Sequence, residues 1–282
     1  TWATAIRSGM GTLTVKLLAL CADGASGIQS AATEHLEVRF DPELFHVQKG
    51  LGDAFGMRLR SELTAAHKAR SKAAIRSLNL DLEATAREMT DAVAPSPLQQ
   101  EAAATLEAAQ QAMAQIESEQ KTVHEVRQTL SLALHPVNLF TGDWQDSDAV
   151  ERAVEDQLHR LDPIAERLGR KCAVAVASAR EKIPAWAAMI SAWGKLVRER
   201  VAQEAPSAEL QRVMLIWLIP ACYLAWVSGR NHLPASVRSY LRARSAELLG
   251  KVAANPEWSS LPQGLRVHLE SVAQECARWF VR

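Results

Sequence analysis

Cysteine is scarce and scattered. Cys21, Cys172, Cys222 and Cys276 form no CxxC pair, and no histidine stands at zinc-ligand spacing. The pattern argues against a zinc ribbon and leaves four thiols expected to behave as small buried hydrophobes in a reducing cytoplasm. Neither sign of charge is in excess: Lys plus Arg and Asp plus Glu both number 32. Net charge therefore favours no partner, and any case for nucleic acid rests on local clustering. There is no glycine-rich phosphate loop, internal repeat or low-complexity tract. No signal peptide or initiator methionine opens the chain, and Thr1 runs at once into helix-like sequence, which reads as the cut end of something longer. The one long apolar run, Val213 to Val227, contains Pro220 and is shorter than the ~20 residues needed to cross a bilayer. It is expected to be a buried helix, with no membrane as partner.

Strand-forming sequence is also scarce. Residues 12–22 (TLTVKLLALCA) are β-branched, short and stopped by Asp23-Gly24, and Leu36 to Phe40 is a weaker second candidate. With 282 residues, 48% of them apolar and 23% charged, the chain is globular rather than disordered, and nearly everything beyond Asp41 has helical period. Residues 43–93 read as one or two helices, broken at Pro95-Ser96-Pro97. Ser96 suits an N-cap, Pro97 the first helical position, and Gln99 completes a capping box. The next helix runs to about Leu134. Leu98, Ala102, Leu106, Ala109, Met113, Ile116, Val123, Leu130 and Leu134 lie near a heptad seam, so it is expected to fold back on the preceding helix as an antiparallel hairpin. A loop from Pro136 to Asp146 follows. Asp148 with Glu151 reads as the capped start of a helix to about Leu168, and further helices are expected at 171–182, 185–203, 208–229, 234–253 and 261–281. Trp186, Trp193, Trp217, Trp226, Trp258 and Trp279 are expected to anchor a helical core.

Asp23 ends the strongest strand candidate and is followed by the small residues Gly24-Ala25-Ser26-Gly27. Carboxylates at such strand ends can converge on divalent metal; an aspartate there also caps a following helix. Basic residues cluster as Arg58, Arg60, Lys68, Arg70, Lys72 and Arg76, with Glu62 the one acid among them. The run suits charge-driven contact with a phosphate backbone, and it equally suits a solvated helix face. Arg238, Arg242, Arg244 and Lys251 form a weaker group.

The stretch CADGASGIQSAATEHLEVRFDPELFHVQKGL resembles DDE-type transposases of bacterial insertion sequences. In these, an RNase H-like catalytic domain carries a long helical segment before its last acidic residue. Ala22-Asp23-Gly24-Ala25 resembles the family's S-D-x-A motif. Asp41-Pro42-Glu43-Leu44-Phe45-His46 resembles its P-D-x-F-H motif with the first two residues exchanged. His135-Pro136-Val137-Asn138-Leu139, Val150-Glu151 and Lys182-Ile183-Pro184-Ala185 resemble later family segments in the family's order. The resemblance implies that Asp23 is the second catalytic aspartate, bridging two magnesium (or manganese) ions in the intact enzyme. It places His46 near the scissile phosphate, where a half-buried histidine closing a turn is the other reading. It implies that the first catalytic aspartate lies upstream of Thr1. The final glutamate matches nothing up to Arg282, so the chain alone is expected to hold no metal and to cut no DNA.

The expectation is thus a mainly α chain. It comprises a partial RNase H-like α/β piece at 1–48 with its strand ending at Asp23, a long helical hairpin at 49–135 and a helical bundle at 136–282. Its expected partners are transposon-end and target DNA and further copies of the chain. The alternative is a helical scaffolding or protein-interaction domain with no DNA role. A small enzyme or sensor with a pocket among the tryptophan-bearing helices is a third reading, disfavoured because no His, Cys or acidic cluster converges there.

Overall fold

The computed structural model describes residues 2–10, 19–22, 28, 30–36, 39–42, 44–87, 95–230 and 233–279. Helices dominate these residues, as the period of the sequence predicts. They begin with α1 (Trp2–Met10), and strand β1 (Ala19–Ala22) follows. A π-helical turn (Ala31–His35) leads to strand β2 (Arg39–Pro42). The strands pair in parallel, Ala19 opposite Arg39 and Ala22 opposite Pro42. Residues 12–18 of the longer predicted strand lie outside the described residues, apart from which β1 is its C-terminal end.

The chain as a whole forms two compact units of interleaved segments, whose bounds differ from the boundaries at 48 and 135 that the sequence suggests. One unit comprises 44–128 and 157–180; the other comprises 1–43, 129–156 and 181–282.

The first unit is built on α2 (Leu44–Arg87) and α3 (Pro97–Ala133). The capping box at the start of α3 is fully formed: Gln99 N–H donates to Ser96 Oγ at 3.3 Å, and Ser96 N–H donates to Gln99 Oε1 at 2.8 Å. The two helices run antiparallel, as three cross-links of steadily changing register show. Gln48 donates to the Arg127 carbonyl, Arg76 pairs with Glu101, and Gln99 donates to Asp81. The predicted seam holds along α3, where Ala102, Ile116 and Val123 are buried and Leu106, Ala109 and Met113 half-buried. Leu98 departs from it and is 56% exposed. Toward its N-terminus α2 buries Leu51, Ala54, Phe55 and Leu59. There it meets α5 (Asp162–Leu168) and α6 (Arg170–Arg180), with Cys172 Sγ 3.4 Å from the Ala54 carbonyl.

Helix α4 (Ser147–His159) precedes α5. The single helix predicted from Asp148 to Leu168 is divided here by Asp162-Pro163, since proline ends the hydrogen-bond ladder of the helix before it. Its cap is Asp146 rather than Asp148: Asp146 Oδ1 accepts from Ala149 N–H at 2.7 Å. Asp148 instead lies in the first turn, where a carboxylate faces the positive end of the helix dipole.

The second unit holds α7 (Ile183–Glu204), α8 (Ala208–Val213), a π-helical turn (Met214–Leu218) and α9 (Ile219–Ser228). After these come α10 (Ala235–Ala254), α11 (Pro256–Ser260) and α12 (Gln263–Trp279). The stretch Ala208–Ser228 is long and apolar enough to cross a membrane by length and composition. Here it is the centre of the core: Val213, Met214, Leu218, Ile219, Tyr223, Leu224 and Val227 are all buried. Trp193 and Trp258 lie in that core, and Trp217, Trp226 and Trp279 pack half-buried on it, as predicted for the tryptophans.

Candidate functional site

The parallel pairing of β1 and β2 sets Ala22, the residue before Asp23, opposite Pro42 of the second motif that the sequence singles out. Because the strands are in parallel register from Ala19/Arg39 to Ala22/Pro42, their C-terminal ends share one edge. The chain leaves β1 at Asp23 and leaves β2 toward α2, whose first turn contains His46. Asp23 itself lies outside the described residues, as does the His46 side chain. Asp41 is in β2 with only its backbone described. Among the described residues no group of three His, Cys, Asp or Glu side chains could hold a metal ion.

The six basic residues predicted to meet DNA are all on α2, and all are exposed. At about 100° per residue, Arg58, Lys68, Lys72 and Arg76 fall on one side of the helix, while Arg60 and Arg70 fall on others. Two have intramolecular work. Arg58 donates to the Leu168 carbonyl at the C-terminal end of α5, where Gly169 takes φ 90° to leave the helix; a guanidinium there complements the helix dipole. Arg76 pairs with Glu101. Glu62, the one acid in the run, is held together with Glu119 by Arg167, whose charge these carboxylates stabilise, Glu119 foremost. Arg60, Lys68, Arg70 and Lys72 are left as the exposed cations of the patch. The weaker group on α10 is partly committed as well: Arg244 donates to the Thr141 carbonyl and pairs with Glu247, which also pairs with Lys251.

Two arrangements were not legible in the sequence. The first is a buried polar pair. Tyr223 is fully buried, its hydroxyl lies 2.6 Å from His135 Nδ1, and the rings meet edge to face. Burial pushes the phenol well above its usual range, so it remains protonated at neutral pH. His135 opens the His135-Pro136 turn that the sequence singles out, and here it joins that turn to the core. The second is a pocket of about 770 Å³ walled by Trp226 and Trp258, rimmed by Arg266, Glu270 and Arg278, and containing Cys222. Arg266 is turned to structure, its Nη2 donating to the Ser259 and Leu261 carbonyls at 3.2 and 3.1 Å. Burial, and then Glu270, push the Cys222 thiol to about 11, so it is no nucleophile at neutral pH. The pocket thus joins apolar walls to opposed surface charges without an acid, base and nucleophile in mutual reach.

The chain matches no protein-family model, and comparison with curated proteins and with solved structures finds no match.

Proposed function

We propose that this chain is part of a DDE-type transposase. In this reading it supplies the second catalytic aspartate, Asp23, from an RNase H-like piece, together with a helical insertion that meets DNA and partner subunits. The supporting observation is the parallel β-helix-β arrangement. It sets the strand that ends at Asp23 beside the strand of the Asp41-Pro42…His46 motif, with both C-terminal ends at one edge. In open parallel sheets that edge is where ligands and catalytic groups gather. In this reading the two strands belong to an RNase H-like sheet, and they are all of a sheet that the described residues contain. Magnesium would neutralise the phosphate charge and activate the attacking oxygen. In this reading Asp23 would hold it and His46 would orient the phosphate.

The alternative reading, a helical scaffold with no DNA role, is favoured by one observation: of the four basic residues on one side of α2, Arg58 and Arg76 are engaged by the Leu168 carbonyl and Glu101.

The decisive experiment replaces Asp23 with Asn in the intact protein. The exchange keeps the side chain's shape and its ability to cap a helix while removing the charge that two cations require. Strand cleavage of a transposon-end substrate should fall by at least about 100-fold with thermal stability nearly unchanged. An Asp23→Asn protein that cuts as well as its parent overturns the assignment.

A further inference from the structure

The distal half of α2 carries an exposed apolar stripe that no described residue of its own unit covers. Ile75, Leu78 and Leu82 are each 59% exposed. Their spacing of three and four puts them on one face of the helix. The inward positions of the same segment are Ala73, which is buried, and Ser77, Leu80 and Ala84, which are half-buried. At about 100° per residue these lie on roughly the opposite side, so the stripe faces away from the seam with α3. Three large aliphatic side chains in register on an otherwise polar helix are not scattered surface apolar residues.

The charges beside the stripe specify what fits it. Residues 68–76 carry Lys68, Arg70, Lys72 and Arg76 and no acid; Asp81 and Glu83 follow at once. Leu78 sits between the basic and acidic halves. Lys72 and Glu83 lie on the same flank of the stripe, within about 20° of one another around the helix.

We propose that a second copy of this chain packs its α2 antiparallel against this stripe, about a two-fold axis at Leu78. In that register Leu78 meets Leu78 of the second copy, and Ile75 meets Leu82 of the second copy. An antiparallel helix pair brings equivalent flanks together, so Lys72 of each copy faces Glu83 of the other. A parallel pair would bring each flank against the opposite one, setting Lys72 near Arg70 and Glu83 near Asp81 of the other copy, which like-charge repulsion disfavours. The two-fold makes the contact self-complementary and closed, so it ends at a dimer. The stripe is smaller than the ~800 Å² per partner of a standard stable interface, so the association is weak and concentration-dependent. It stands on the exposed residues of α2 alone and does not rest on the transposase reading.

Sedimentation velocity of the chain without DNA, across concentrations up to about 200 µM, tests the contact, that range being set by the weak association expected of so small an interface. The average mass should rise toward that of a dimer. Leu78→Glu, an exchange at an exposed position, should weaken the association at least ~10-fold while leaving the helical circular dichroism unchanged. Lys72→Glu should also weaken it, and Lys72→Glu with Glu83→Lys should restore it. Oxidation of a Leu78→Cys chain should trap a covalent dimer that neither the parent nor Ile75→Cys forms, because only residue 78 meets itself. A chain that stays monomeric throughout, an association indifferent to Leu78→Glu, or an Ile75→Cys chain that cross-links as readily as Leu78→Cys overturns the proposal. None of these readouts depends on DNA cleavage, so failure here leaves the reading of Asp23 untouched.

Discussion

Pro220 shows how one residue sets its neighbours' chemistry. It stands inside the apolar stretch 208–228, where its missing N–H should break the helix. The chain widens instead into the π-helical turn Met214–Leu218, with Ile219 N–H bonding back to the Met214 carbonyl. That bond uses the donor that Leu215 would have had in an α-helix. The next donor at π spacing would be residue 220, which has none. The Leu215 carbonyl is therefore left over, and the Trp144 indole N–H donates to it. Trp144 in turn stacks on Trp193, their centroids 4.9 Å apart. Trp144→Phe keeps most of the packing and removes only the donor. Urea unfolding should show a loss of about 1–3 kcal/mol, the cost of an unsatisfied buried carbonyl. A loss below about 0.5 kcal/mol would mean that water or relaxation of the turn replaces the indole.

Helices α8 and α11 begin side by side and cap one another. Ser207 Oγ accepts from Leu210 N–H and donates to Glu257 in the first turn of α11. Asn255 caps α11 through Trp258 N–H at 3.1 Å, and its amide reaches Glu209 in the first turn of α8 at 2.8 Å. Glu209 also receives two bonds from Arg212, at 2.7 and 2.8 Å. Arg212 first, then Asn255, hold its carboxyl down to about 2 from the ordinary 4.5. A group depressed on folding contributes stability that is full above its unfolded value and is lost as pH falls through its folded value. Glu209 should therefore contribute above about pH 4.5 and lose that contribution between about 4.5 and 2. In thermal melts across that window, the midpoint of Glu209→Gln should fall less steeply than the parent's. Parallel curves would show that solvent screens the cluster fully. Serine and asparagine before a helix are readable caps, but that the two N-termini share Glu209 follows only from their meeting in space.

On the scale of the whole molecule, equal numbers of acids and bases predict no general attraction to nucleic acid, and the exposed cations of α2 are the cluster expected to carry any DNA affinity. Replacing Arg60, Lys68 and Arg70 with Ala spares Lys72 and the intramolecular pairs of Arg58 and Arg76. If α2 meets DNA, binding of a random duplex should weaken, and the slope of log affinity against log salt should shrink by up to about 3. Fluorescence anisotropy at several salt concentrations measures both. An unchanged slope assigns the run to a solvated helix face.

The sequence by itself determined where helices lie and where most of them stop, because period, proline and capping residues act within a few residues of one another. The Ser96–Gln99 box, the hairpin helices and the burial of the Val213–Val227 run follow from such local rules. Asp146 rather than Asp148 as cap, and the split at Asp162-Pro163, show the limit of those rules, where two adjacent signals compete. Only the tertiary structure decided what depends on residues far apart in the chain. It sorted the basic run into cations engaged by Leu168 and Glu101 and cations left exposed, joined His135 to Tyr223, and set β1 beside β2 in parallel. The physical reason is that a side chain's partners are fixed by packing between helices. Spacing along one helix shows which face a residue occupies and leaves open what lies opposite.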